Sequence, residues 1–178
     1  MGNTTAKNSI GDTPFTDACY TGDLRIVQSF LNKSYDYIRE TGHLGQNGFL
    51  RAASGDEIDT MRHLHSIDKT LSQAKDDRKD TALCLSVEHG SKQTVEYLIS
   101  ELRVDIHETG FYKRNCFLRA AQGGKIETMK YLNAIDETLS QGRDIDNDTA
   151  QCQKLKKNRQ VEFPVFLHKI RWKLIETC

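Results

Sequence analysis

Thr13-Pro14-Phe15-Thr16-Asp17-Ala18-Cys19-Tyr20-Thr21-Gly22 decides the fold, because the chain returns to it three more times. The second copy reads Asn47-Gly48-Phe49-Leu50-Arg51-Ala52-Ala53-Ser54-Gly55-Asp56. The third is Thr81-Ala82-Leu83-Cys84-Leu85-Ser86-Val87-Glu88-His89-Gly90, and the fourth is Asn115-Cys116-Phe117-Leu118-Arg119-Ala120-Ala121-Gln122-Gly123-Gly124. Gly22, Asp56, Gly90 and Gly124 are evenly spaced along the chain, and alternate copies are the more alike. Ile67-Asp68 with Thr70-Leu71-Ser72-Gln73 returns as Ile135-Asp136 with Thr138-Leu139-Ser140-Gln141. Tandem self-similarity at such a period is the mark of stacked supersecondary units.

One copy can be read from its chemistry. Thr13, Asn47, Thr81 and Asn115 carry side-chain oxygens that accept the free N–H groups of a helix start. Pro14 sits where a missing N–H costs nothing. Phe15, Ala18 and Cys19 share one helical face, and the small residues Ala18, Ala52, Ser86 and Ala120 let neighbouring helices approach closely. Gly22, Gly90 and Gly124 are expected to end the helix in a left-handed conformation, with Gly55 taking over the turn beside Asp56. A second helix follows in each copy, striped by Leu24, Val27, Phe30 and Leu31, by Ile58, Met61 and Leu64, by Val95, Leu98 and Ile99, and by Ile126, Met129 and Leu132. One helix pair cannot bury such a stripe alone, whereas stacked pairs can.

Thr-Pro-x-x-x-Ala, a glycine four residues on and a second helix resemble the ankyrin repeat, with Thr13–Leu31 a near-consensus copy. The resemblance covers about residues 10 to 150. The family's histidine after Thr-Pro-Leu is replaced by Thr16, Leu50, Cys84 and Leu118. The expected fold is an all-α helix-turn-helix solenoid with projecting finger loops. The copies fall at about 11–44, 45–78, 79–112 and 113–147, with a partial fifth at 148–150, between a polar segment at 1–10 and a tail at 151–178.

The resemblance further implies a non-catalytic scaffold that binds a protein partner through first helices and fingers. It places Asp17, Arg51, Leu85 and Arg119 at inward-facing positions. The two arginines either hold carboxylates of a partner by bidentate pairing or are ordinary solvated side chains. On the fingers, Phe111 and Tyr112 with Lys113 and Arg114 are hot-spot candidates, unless the rings fold back as packing.

Composition excludes several classes. Twenty-five basic residues balance 25 acidic ones, which excludes nucleic-acid binding by bulk charge. No apolar run approaches the roughly 20 residues of a membrane span, and the polar start is not a secretory leader. Five cysteines without a C-x-x-C pair suggest reduced thiols in a cytoplasmic or nuclear protein, with Cys84 and Cys116 as inert packing. Met1-Gly2 lacks the hydroxyl residue at position six that myristoylation prefers, and the Asn-x-Ser/Thr triplets are read as chance matches.

Enzyme and metal signatures fail. Asp144, Asp146 and Asp148 begin like a calcium loop, but Thr149 and Leu155 stand where glycine and glutamate are needed. His63 and His65 lack metalloprotease spacing, and no phosphate-binding or nucleophile-elbow string occurs. No catalytic residue, cofactor, metal or small-molecule substrate is expected.

The tail differs in kind. Residues 151–178 carry seven basic and two acidic side chains, so a +5 tail follows a −5 remainder. Phe166, Leu167, Ile170 and Leu174 fit a helix face, whereas Ile170, Trp172 and Leu174 fit a strand. The tail is a cap on the last repeat, an anchor for an anionic membrane surface, or the end of a truncated array. A membrane or nucleic-acid adaptor acting through this tail is the alternative function.

Overall fold

A computed structural model of the chain describes residues 6–147 and 149. Thr13, Asn47, Thr81 and Asn115 each accept a hydrogen bond from the backbone N–H three residues on, starting four helices at the same point of each copy. These are α1 (Pro14–Thr21), α3 (Gly48–Gly55), α5 (Ala82–His89) and α7 (Cys116–Gly123). Their partners are α2 (Leu24–Lys33), α4 (Ile58–Ile67), α6 (Lys92–Glu96) and α8 (Ile126–Ile135). The described residues are all-helical, apart from one isolated bridge between Thr41 and Asn47.

Packing follows chain order. Helix α3 lies between α1 and α5, and α5 lies between α3 and α7. Ala18, Ala52, Ser86 and Ala120 are buried at these contacts, where a larger side chain would hold the helices apart. Phe15, Phe49, Leu83 and Phe117 fill the space beside them and are at most 2% exposed. Each such burial is worth about 1.5–3 kcal/mol. Val27, Met61, Leu64, Val95, Leu98, Met129 and Leu132 close the core from the second helices.

Two turns differ from expectation. Gly22 and Gly124 are left-handed (φ 71° and 69°), but Asp56 adopts that conformation itself (φ 68°), and Gly55 does not replace it. Its carboxylate offsets the strain by accepting from Ser91 N (2.7 Å) and the Thr94 hydroxyl, tying the second pair to the start of α6. Gly90 is extended (φ −80°, ψ −177°), because the chain runs straight into Ser91, an N-cap that accepts from Thr94 N. The second helix of that copy ends in a π turn, Tyr97–Glu101, closed by Leu102 N donating to Tyr97 O.

The loops between pairs are linked to one another in series. His43 N donates to Asp12 Oδ1 (2.8 Å) and Asp77 N to Leu44 O (2.9 Å). Phe111 N then donates to Asp80 Oδ1 (2.7 Å) and Ile145 N to Tyr112 O (2.9 Å). Buried aspartates and backbone carbonyls alternate as the acceptors, so the loops are tied together without a histidine at position 16, 50, 84 or 118.

Residues 1–5, 148 and 150–178 lie outside the described residues. So do the acylation, fifth-copy and tail readings, apart from Thr149, which is buried.

Candidate functional site

A groove of about 410 Å³ runs along one side of the first helices beneath the loops. Its floor carries Arg51 and Ser54 from α3, Leu85 and Glu88 from α5, and Arg119 from α7. Its rim carries Ile10, His43, Leu44, Asp76 and Arg78 from the loops, and Tyr20 closes one end. Ile10 and Tyr20 are 53% and 41% exposed, so apolar surface is presented at the mouth.

The arginines are not the free hooks that the sequence suggested, and that expectation is corrected. Arg51 and Arg119 are each 4% exposed and already hold carboxylates of the chain itself. Arg51 Nη2 donates to Asp12 Oδ2, and the guanidinium lies 4.2 Å from the centre of the Tyr20 ring. Arg119 donates to both Asp80 and Glu88. Burial alone would lower the Arg119 pKa, but the hydrogen bond to Asp80 and the charges of Asp80 and Glu88 outweigh it and raise it. Neither ordinary solvation nor partner capture describes them; they are internal braces.

The other candidates separate into three groups. Leu85 is 5% exposed and lines the groove. Asp17 is half-buried, receives the Asn8 amide at 3.3 Å, and lies outside the groove lining. Phe111, Tyr112, Lys113 and Arg114 form the loop beside it, where Tyr112 and Lys113 take left-handed dihedrals (φ 59° and 56°).

Neither Phe111 nor Tyr112 joins the hydrophobic core, and Tyr112 is 46% exposed. The two ring centres are 4.0 Å apart, with Arg78 5.3 Å from the Phe111 centre and Arg114 4.9 Å from the Tyr112 centre. Arg114 also reaches Asp144 (3.3 Å) and Gln122 (3.0 Å). Arg78 is exposed and has no carboxylate partner among the described residues.

Sequence reasoning missed Tyr20, Ser54 and Glu88. The signal was present, because they follow Asp17, Arg51 and Leu85 by three residues and so share a helix face. It also missed Arg78, whose place beside Phe111 follows from contacts between successive loops, which no local pattern announces.

Burial raises the thiol pKa values of Cys19, Cys84 and Cys116, that of Cys116 to about 12, which keeps them protonated and poorly nucleophilic. Among the described residues, no group of three or more His, Cys, Asp and Glu is placed to hold a metal, and no helix is long and apolar enough to cross a membrane.

No family model matches the chain, and no curated protein matches it in sequence. In fold, 416 chains of solved structures match, and an architecture so widely used names no single chemistry. Among them is one chain of the solved complex between a predatory endopeptidase from Bdellovibrio bacteriovorus and an immunity protein. That likeness has 23% identity and a TM-score of 0.64, and covers 82% of this chain and 72% of the other. It is a likeness of fold.

Proposed function

We propose that the chain is an ankyrin-type solenoid of four helix pairs acting as a non-catalytic protein-binding scaffold. The observation that carries this reading is the groove itself: one continuous surface that draws on α3, α5 and α7 and on three loops. Its walls are pre-ordered. Arg51 and Arg119 are locked by internal ion pairs, and the loops are hydrogen-bonded to one another, so few side chains lose freedom when a partner docks. Apolar Ile10, Tyr20, Leu44 and Leu85 share this surface with polar groups, so a partner can both bury apolar area and form hydrogen bonds there.

Site-specific crosslinking tests the reading. With p-benzoylphenylalanine in place of Tyr20, irradiation in a homologous extract should give discrete protein adducts. The same probe in place of exposed Gln93 on α6 should not. Equal adducts from both positions, or none from position 20, would overturn the groove as the binding face.

A further inference from the structure

Within that reading, we propose that the groove selects acidic peptide segments, with Arg78 as the group that receives the carboxylate. The internal duplication isolates the feature. Residues 10, 43, 44 and 46 correspond, two copies on, to 78, 111, 112 and 114. The backbone is the same in both places: Leu44 and Tyr112 share left-handed dihedrals (φ 52° and 59°), and His43 N and Phe111 N both donate to a buried aspartate. The side chains are not the same. Ile10, His43, Leu44 and Gln46 in the first place become Arg78, Phe111, Tyr112 and Arg114 in the second. The framework therefore does not require the stack of two rings between two guanidiniums.

Geometry says what the stack can do. Ring contact occupies the flat face of a guanidinium and leaves the N–H donors at its edge free. Arg114 directs those donors to Asp144 and Gln122. Arg78 has no such partner among the described residues, yet Phe111 already restrains it. Part of the entropy of ordering a long side chain is thus lost before a ligand arrives, and a fork suited to a carboxylate stands at the groove rim.

The surroundings choose the ligand class. Arg78 shares the groove with Ile10, Leu44 and Leu85, which suit an apolar side chain next to the acidic one. Arg119 is taken up by Asp80 and Glu88, and Arg51 by Asp12, so Arg78 is the cation of this groove whose charge no carboxylate of the described residues neutralises, which suits a single carboxylate rather than the many charges of a polyanion.

The test is selection of random displayed heptapeptides on the purified full chain. Enrichment of Asp or Glu within three positions of Leu, Ile or Phe is expected. A recovered peptide, labelled with fluorescein, should lose at least about tenfold in affinity with Arg78→Gln. Replacing its acidic residue by the amide should cost the same on the unsubstituted chain and nothing further on the variant. Unchanged circular dichroism of Arg78→Gln would exclude a folding defect. Recovery of apolar or basic peptides that bind in the groove independently of Arg78 would overturn this inference and leave the scaffold reading standing. Recovery of no peptide would also overturn this inference, the scaffold reading being decided separately by the crosslinking at position 20. Arg78-dependent binding of oligo(dT) or of phosphatidylserine vesicles, with no acidic peptide recovered, would overturn the inference by assigning the arginine to a different ligand.

Discussion

Arg51 Nη2 stands 2.5 Å from Asp12 Oδ2, with the two side chains 5% and 0% exposed. Asp12 belongs to the loop before α1 and Arg51 to α3, so the pair crosses from one helix pair to the next. Arg119 and Asp80 repeat the arrangement two copies later. Asp12 also accepts from His43 N and the Thr16 hydroxyl. Taking both charges out of water is costly, and the attraction and added hydrogen bonds offset that cost.

Arg51→Met therefore leaves a buried carboxylate without its counter-charge. The expected loss is about 3–5 kcal/mol, read as a lower urea midpoint at unchanged m-value. Adding Asp12→Asn should recover part of it, because the remaining donors suit a neutral amide oxygen as well. A single variant as stable as the parent would show that the pair is not a brace.

These braces explain how far the sequence could be read. Helix starts at 13, 47, 81 and 115 were legible because capping is local chemistry, set within three residues of chain. The all-α class was legible because the apolar stripes keep helical spacing. The role of Arg51 and Arg119 was not, since their partners lie in the preceding copy and nothing in the local pattern tells a buried arginine from a solvated one. Asp56 misled for a similar reason. Local rules favour glycine in a left-handed turn, and the bonds to Ser91 and Thr94 that outweigh the strain arise only after the pairs have stacked.

The Asn/Thr alternation at the helix starts carries a second prediction. Asn47 and Asn115 cap α3 and α7 and also donate through their amides to Leu71 O (3.3 Å) and Leu139 O (2.9 Å). Threonine, found at the equivalent positions 13 and 81, keeps the cap and has no such reach. Asn115→Thr should cost about 1 kcal/mol for the lost bridge, and Asn115→Ala about 2 kcal/mol for bridge and cap together. Equal losses in urea titrations of the two variants would remove the bridge from the account.

Gly110 is fixed by space. A Cβ there would stand 2.0 Å from Asp80 Oδ1 and 3.1 Å from Cys84 Sγ. Gly110→Ala must push Asp80 away from both Phe111 N and Arg119. A loss of about 1–3 kcal/mol is expected, with faster amide exchange at Phe111 than elsewhere in its loop. Parent-like exchange at Phe111 would show that the loop does not depend on this contact.

The cysteines give a prediction with a defined pH direction. Burial raises the Cys116 thiol from 9.0 to about 12, so the folded chain holds this proton more tightly than the unfolded one. A raised folded-state pKa contributes stability that is complete below the unfolded value and is lost as pH climbs through the folded one. The urea midpoint should therefore fall between about pH 9 and pH 12, and Cys116→Ala should flatten part of that slope. Cys152 and Cys178, outside the described residues, are first replaced by serine to leave only Cys19, Cys84 and Cys116. At pH 8 those three should then react with a disulfide reagent only as fast as the fold opens, accelerating with urea. Immediate reaction of any of them in the absence of urea would place that thiol at the surface and contradict the packing of the first helices.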